Sequence, residues 1–382
     1  MLATSYIELS KSALKNNIEF IRKHLGEEIK FSSVIKGNAY GHGIESFLPL
    51  AEELGIDHFS VFSAYEAYKA FKAKRNKNSK IMIMGMITNH QLEWAIENDI
   101  EFFVFELDRL LSAHEIAKKL NKPALVHIYV ETGMNRIGFS KDEMEQVISL
   151  LKTEYLTFSG LCTHYAGAES IANYYRVKKQ IKNFRDNLKF FRNNDLMPQY
   201  IHCASSAAAM NYSKTRFNMV RIGILQYGLW PSRETFIQYL SGKEAKVNPL
   251  ERIISWKTTV MNTKSVKRGE FVGYSNTFFA QDDMKIAVIP VGYSDGYSRS
   301  LSNFGSVIIH GIKVKVIGLV NMNMLIVDIT DIPETKKGDG VVLIGSQNGQ
   351  EITISAFGDY NDQMNYESLA RLPDNIQRRI ID

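Results

Sequence analysis

The stretch Val34-Ile35-Lys36-Gly37-Asn38-Ala39-Tyr40-Gly41-His42-Gly43 ends an apolar run, Phe31 to Ile35, on a lysine and opens at once into a glycine-rich turn. Buried strands read as short apolar runs bounded by turn residues. Lys36 therefore stands where a strand stops and a loop begins, and three glycines let the backbone pass close to a neighbour. A lysine at the mouth of an apolar site loses hydration and its pKa falls. The free amine is then available as a base or as a nucleophile toward a carbonyl. The same residue also fits a solvated strand end, but the polar-tipped Tyr40 and His42 furnish this turn for a ligand. Other chemistry-bearing groups fall at equivalent places: Arg136 follows an apolar run, His164 closes one, Ser205 and Ser206 follow one, and Arg221 lies on one. Taken singly, a histidine here is more often a satisfied core residue than a catalytic one. The recurrence of polar groups at the ends of runs is what makes a site.

The elements that must position these groups are legible as a repeat of pattern. Apolar strand candidates recur at Phe31–Ile35, Phe59–Phe62, Ile81–Met84, Phe102–Phe105, Leu125–Val130, Phe158–Cys162, Tyr200–Cys203 and Met219–Leu225. Helical spacing lies between most of them, at Ile44–Leu54, Ala64–Ala73, His90–Asn98, Leu107–Leu120 and Asn173–Arg192, with an earlier helix over 11–24. Ser140-Lys141-Asp142-Glu143 reads as a capping box for a helix running to Leu151. Eight strands alternating with helices predict an α/β fold, a (β/α)8 TIM-type barrel, whose catalytic groups sit at the C-terminal strand ends. An open doubly wound sheet is the rival, but no Gly-x-Gly-x-x-Gly follows an early strand. Past Pro249 the texture alternates apolar and polar with frequent turns: Ile253–Val260, Lys285–Val291, Gly305–His310, Lys313–Val320, Leu325–Ile329 and Gly340–Ile344. Helical patterning returns at Ser355–Tyr360 and Asn365–Leu372. Two domains are expected, a barrel over 1–245 and a mostly β C-terminal domain over 246–382.

Composition sets the outer limits. With 382 residues, 45% hydrophobic and 23% charged, the chain can bury sizeable cores. The net charge of +5 is interspersed, with no stripe of basic and aromatic residues, so neither nucleic acid nor a membrane is an expected partner. Cys162 and Cys203 lie far apart in apolar runs. They make no metal site by themselves, and free buried thiols suit a reducing compartment. The first ten residues lack a charged-then-apolar signal pattern, and no 18-residue apolar span occurs, so a cytoplasmic location is expected.

Across nearly the whole length the sequence resembles the bacterial alanine racemase family, through the blocks VIKGNAYGHG, ETGMNRIGFS, GLCTHYAGAE, HCASSAAAM, VRIGILQYGL, GYSNTFFA, PVGYSDGYSR and MNYE in the family's order. The resemblance implies a pyridoxal 5'-phosphate enzyme interconverting L- and D-alanine by a two-base mechanism, supplying D-alanine for peptidoglycan. Lys36 would carry the cofactor covalently and act as one base, with Tyr274 as the second base on the opposite face. Racemisation needs both, because the α-proton leaves one side and returns on the other. A tyrosine with the ordinary pKa near 10 needs a nearby cation to lower it. Arg221 would donate to the cofactor's ring nitrogen, leaving the ring unprotonated and a weaker electron sink, which suits racemisation over transamination. His202 would support Arg221, and His164 would stack beside the ring. The phosphate would be held by Tyr40, Ser206, the amides of Gly223 and Ile224, and Tyr366. Arg136 and the backbone of Met322 would hold the substrate carboxylate, with Tyr293 lining the entrance and Asn323 beside Met322.

Some positions depart from the family pattern. Asn323 stands where aspartate is usual, Ser205 where asparagine is usual, and Glu131 where aspartate is usual. Tyr129 occupies the place of a lysine, modified as a carbamate, that props Arg136 in many members; an anion such as chloride would fill that role. In the family Tyr274 and Met322 reach the partner subunit's cofactor, which implies a homodimer with composite active sites. Two alternatives remain open: a serine, lysine or broad-specificity amino-acid racemase, and a non-enzymatic pyridoxal-phosphate-binding protein. The latter kind has a barrel alone, with no β-domain to carry a residue equivalent to Tyr274.

Overall fold

The structure is a computed structural model and describes residues 4–357 and 365–382. The expected helix at Ser355–Tyr360 lies partly outside them; its described part, Ser355–Phe357, is a 3-10 turn. The chain forms two compact units. One comprises Ser12–Gly37 and Leu48–Arg252, the other Met1–Lys11, Asn38–Phe47 and Ile253–Asp382.

Strand β1 (Ser5–Ser10) belongs to the second unit, and the next eight build the first: β2 (Lys30–Val34), β3 (His58–Val61), β4 (Lys80–Ile83), β5 (Glu101–Val104), β6 (Ala124–Tyr129), β7 (Leu156–Cys162), β8 (Tyr200–His202) and β9 (Met219–Ile222). They pair in parallel in the order β8-β7-β6-β5-β4-β3-β2-β9. The ring is nearly closed where the Arg221 N–H donates to the Ala204 carbonyl at 3.0 Å and the Ile201 N–H to Asn218 Oδ1 at 2.7 Å. This is the (β/α)8 TIM-type barrel expected from the eight apolar runs. Every residue of β3, β5 and β9 is buried, as strands covered by helices on one face and by the barrel interior on the other must be. The helix Tyr174–Asn193 buries Val177, Ile181, Phe184, Leu188 and Phe191, at the three-to-four-residue spacing that turns one stripe inward. The capping box is present: Glu143 Oε2 accepts from the Ser140 N–H at 2.8 Å.

The second unit is mostly β. Its strands are β10 (Ile254–Thr259), β11 (Asn262–Val266), β12 (Met284–Ile289), β13 (Ser306–Ile309), β14 (Ile312–Ile317), β15 (Leu325–Asp328), β16 (Gly340–Gln347), β17 (Gln350–Ile352) and β18 (Gln377–Ile381). With β1 they form a ten-stranded sheet in the order β11-β12-β15-β14-β13-β16-β10-β1-β18, with β17 on β16; β1 and β18 pair in parallel and the other ladders are antiparallel. Trp256 and Tyr297 are its largest fully buried side chains. Among the described residues no helix is long and apolar enough to cross a membrane.

Candidate active site

Lys36 follows the end of β2, with the guanidinium groups of Arg136 and Arg221 near enough to act on its charge. Its side chain keeps an exposed surface. Desolvation first, then repulsion from Arg136 and Arg221, lowers its pKa below that of an ordinary lysine. Loss of hydration is the larger cause, and the two cations add to it. His164, two residues past β7, is pushed down to about 3 by burial and by Arg221, Arg136 and Lys36, so its imidazole is neutral. Gln180, itself buried, fixes the loop after β7 by donating to the His164 carbonyl at 3.2 Å and accepting from the Ala166 N–H at 2.8 Å.

Arg221 on β9 is 5% exposed. Its Nη1 donates to His202 Nδ1 and, at 2.8 Å, to the His202 carbonyl, and its Nη2 donates to the Thr163 carbonyl at 2.7 Å. Its guanidinium carbon lies 5.7 Å from the centre of the Phe103 ring. Three of its five N–H donors are thereby engaged, leaving two for another acceptor. Ser206 opens the helix Ser206–Asn211, and its Oγ accepts from the Gly223 N–H at 3.0 Å. Ile224 starts a 3-10 turn, so its amide has no carbonyl of that turn to bond. A hydroxyl and amides at helix starts are an oxyanion's donor set.

Glu131 shapes the loop that carries Arg136. Its carboxylate accepts from the backbone N–H groups of Gly133, Met134 (2.7 Å) and Asn135 (3.0 Å). Burial raises its pKa, but these amide donors outweigh that and hold it below the usual range. Glutamate for the family's aspartate therefore still organises the turn. Tyr129 is 2% exposed and packs with Met82, Phe103 and Cys162. Arg136 is near enough to act on its charge.

The remaining expected site residues belong to the β-rich unit. Tyr40 and Tyr366 meet edge to face with ring centres 6.1 Å apart, and burial, then Tyr366, raises the Tyr40 pKa, so its phenol stays protonated. Tyr274 is 70% exposed, at a turn just beyond Gly273 (φ 78°) and between the bridged Phe271 and Phe279. Tyr293 and Met322 are brought together by two loops. The Tyr293 N–H donates to the Asn321 carbonyl at 3.0 Å, and the Met322 carbonyl accepts from the Ser294 N–H at 2.9 Å and hydroxyl at 2.7 Å. Asn323 Nδ2 donates to Ser294 Oγ at 2.8 Å. With its carbonyl engaged, Met322 offers its N–H.

The turn after Lys36 is a short left-handed helix: Gly37, Asn38, Ala39, Tyr40 and Gly41 all have φ between 51° and 80°. For a residue with a Cβ this region costs on the order of 1–2 kcal/mol, so Ala39 and Tyr40 are held there by their surroundings. Asn38 Oδ1 accepts from the Ile44 N–H at 3.0 Å, the Gly43 N–H donates to the Asn38 carbonyl at 2.9 Å, and His42 Nδ1 donates toward the Ala39 and Tyr40 carbonyls at 2.9 and 3.0 Å. Strain of this kind gathers at functional sites. The three glycines foretold a close backbone; nothing in residue type foretold the hand of Ala39 and Tyr40.

Comparison with known proteins decides the lineage. Residues 9–231 match the profile "Alanine racemase, N-terminal domain" and residues 253–380 match "Alanine racemase, C-terminal domain". The chain belongs to the alanine racemase family. It is 35% identical to the alanine racemase of Leptospira interrogans serogroup Icterohaemorrhagiae serovar copenhageni, over 99% of this chain and 96% of that protein. Among solved structures, alanine racemase of Clostridium difficile 630 superposes with a TM-score of 0.89 at 28% identity, covering 100% of this chain and 96% of that one. Alanine racemase of Bartonella henselae with covalently bound pyridoxal phosphate superposes with a TM-score of 0.83 at 26% identity, covering 99% and 100%. The alanine racemase family depends on pyridoxal phosphate, and the barrel residues fit that group: a lysine biased toward its free amine, an arginine with two unused donors, and an oxyanion donor set at Ser206 and Ile224.

Proposed function

We propose that this chain is a pyridoxal-phosphate-dependent isomerase that interconverts L- and D-alanine, with Lys36 and Tyr274 as its two bases, and that the D-alanine serves peptidoglycan synthesis. The observation that carries the reading is Lys36, at a barrel mouth beside Arg221 and Arg136 and lowered in pKa by desolvation and by both cations. Bound pyridoxal phosphate withdraws electrons from the α-carbon and acidifies its proton. Lys36 holds the group and moves a proton on one face of the substrate; Tyr274 moves it on the other. Arg221 would donate to the cofactor's ring nitrogen, and His164, neutral, would lie beside the ring without adding charge. Ser206, the amides of Gly223 and Ile224, Tyr40 and Tyr366 are assigned to the phosphate. Arg136 and the Met322 N–H are assigned to the substrate carboxylate, with Tyr293 at the entrance and Asn323 beside Met322.

The assembly we infer is a homodimer in which Tyr274 and Met322 serve the other chain's Lys36. In its favour, Phe271, Phe279 and Phe304 leave large apolar side chains exposed in the unit that carries Tyr274. The two buried free thiols, Cys162 and Cys203, fit a cytoplasmic setting. A non-enzymatic cofactor carrier is disfavoured by the C-terminal family match over residues 253–380. Changing Tyr274→Phe tests the assignment. Cofactor absorbance is expected to be retained and turnover to fall by at least about a hundredfold, the contribution of a positioned general acid–base group. An unaffected rate would sink the two-base assignment.

A further inference from the structure

Arg221 is buried, and among the described residues no carboxylate contacts it; its acceptors are an imidazole and two carbonyls. A chain of buried side chains runs from it across the barrel interior. His202 Nε2 lies 2.8 Å from His127 Nδ1, and His127 Nε2 lies 2.9 Å from Glu101 Oε2. From the other side His58 Nε2 lies 3.1 Å from the same Glu101 oxygen, His58 Nδ1 lies 2.8 Å from Ser32 Oγ, and Ser32 Oγ lies 2.5 Å from Ser60 Oγ. Glu101 is 3% exposed, and the three histidines and two serines are fully buried. Six strands contribute: β2, β3, β5, β6, β8 and β9.

Between Glu101 and Arg221 one arrangement of protons satisfies every link. A carboxylate only accepts, so His127 presents Nε2–H to Glu101, and its Nδ1 must then be a lone pair. His202 therefore donates from Nε2 to His127, leaving its own Nδ1 as the acceptor that Arg221 requires, since a guanidinium only donates. On the far side His58 presents Nε2–H to Glu101, and one proton lies between its Nδ1 and Ser32 Oγ. If His127 or His202 took the other tautomer or an extra proton, an N–H would face the Arg221 N–H. Burial lowers the pKa of both His127 and His202, in keeping with two neutral rings. The backbone is shaped for this chain: a Cβ on Gly160 would lie 2.0 Å from His127 Nδ1, so β7 carries a glycine opposite that ring.

We propose that Glu101 is a positioning residue for Arg221: acting through His127 and His202, its carboxylate sets the tautomers that hold the guanidinium in the orientation the cofactor's ring nitrogen requires. The ring-nitrogen part rests on the proposed function; the tautomer part does not. The test is nitrogen-15 spectroscopy of the histidine side chains of the full chain at neutral pH, with and without pyridoxal phosphate, together with steady-state kinetics. Wild type is expected to show His127 and His202 as single Nε2–H tautomers. Glu101→Met, which removes the acceptor, is expected to give mixed tautomers at His202 and to lower kcat about tenfold with KM within about twofold. Glu101→Gln, which keeps an oxygen acceptor, is expected to restore the His202 tautomer and most of kcat. If Glu101→Met does not fold, Gly160→Ala decides, because it displaces the His127 ring and leaves Glu101 and Arg221 in place; mixed His202 tautomers are again expected. An Nδ1–H tautomer at His202 in wild type, or unchanged His202 signals in whichever of these two variants folds, overturns the proposal. Failure of wild type to racemise alanine would count against the proposed function alone, since the cofactor-free spectra still report on the relay.

Discussion

Lys36 is biased toward its free amine by desolvation and by two neighbouring guanidiniums rather than by an adjacent base. Burial acts in the same direction on the buried histidines. His42 is pushed down from 6.5 to about 4, chiefly by burial, and His164 to about 3. The unfolded chain therefore binds protons that the folded chain refuses once the pH falls below about 6.5. Folded-state stability is fully present above that value and declines toward pH 4, by about 1.4 kcal/mol per pH unit for each such histidine. The urea midpoint is expected to fall between pH 7.5 and pH 5, with a shallower decline in His42→Gln; a midpoint that does not move would contradict it. At this scale the sequence was informative about residues at strand ends. Lys36, Arg136, His164, Ser206 and Arg221 advertise themselves by following or ending apolar runs. His58, Glu101 and His127 do not: His58 and Glu101 stand at the N-terminal starts of their strands and His127 within its run, where a single polar residue looks like a strand boundary or a satisfied core residue until the strands are wrapped into a barrel.

Among elements, the eight barrel strands were legible because each is buried on both faces and so written as a continuous apolar run. The antiparallel strands of the second unit were readable where the pattern was long, by alternation in β10 and by a continuous apolar run in β16. Four strands were missed there: β1, β11, β17 and β18. Each lies at a sheet margin or offers few inward apolar positions; β1 turns only Ser5, Ile7 and Leu9 inward, and β18 is Gln-Arg-Arg-Ile-Ile. Their place is set by long-range pairing, β1 with β10 and β18, which local pattern cannot report. The left-handed turn over 37–41 belongs to the same class. Its hand follows from bonds made by Asn38, Gly43, Ile44 and His42 and not from the preferences of Ala39 and Tyr40.

For the whole molecule, the family's two domains are both present in one chain, and Lys36 and Tyr274, the two bases we propose, lie in different compact units. If each site draws Tyr274 from a second copy, Lys36→Ala and Tyr274→Phe chains, each inactive alone, complement on mixing. Half of randomly reassorted dimers are mixed and one of their two sites is intact, so about a quarter of wild-type activity is expected. No recovery after verified subunit exchange would contradict the composite site. The central claim, that this chain exchanges the α-proton of alanine and returns it to either face, is tested most directly with the purified holoenzyme in D2O. L-Alanine is expected to lose its optical rotation and gain deuterium at the α-carbon, far faster than L-serine or L-lysine under the same conditions. Bound cofactor with no exchange on any of the three would contradict the assigned reaction.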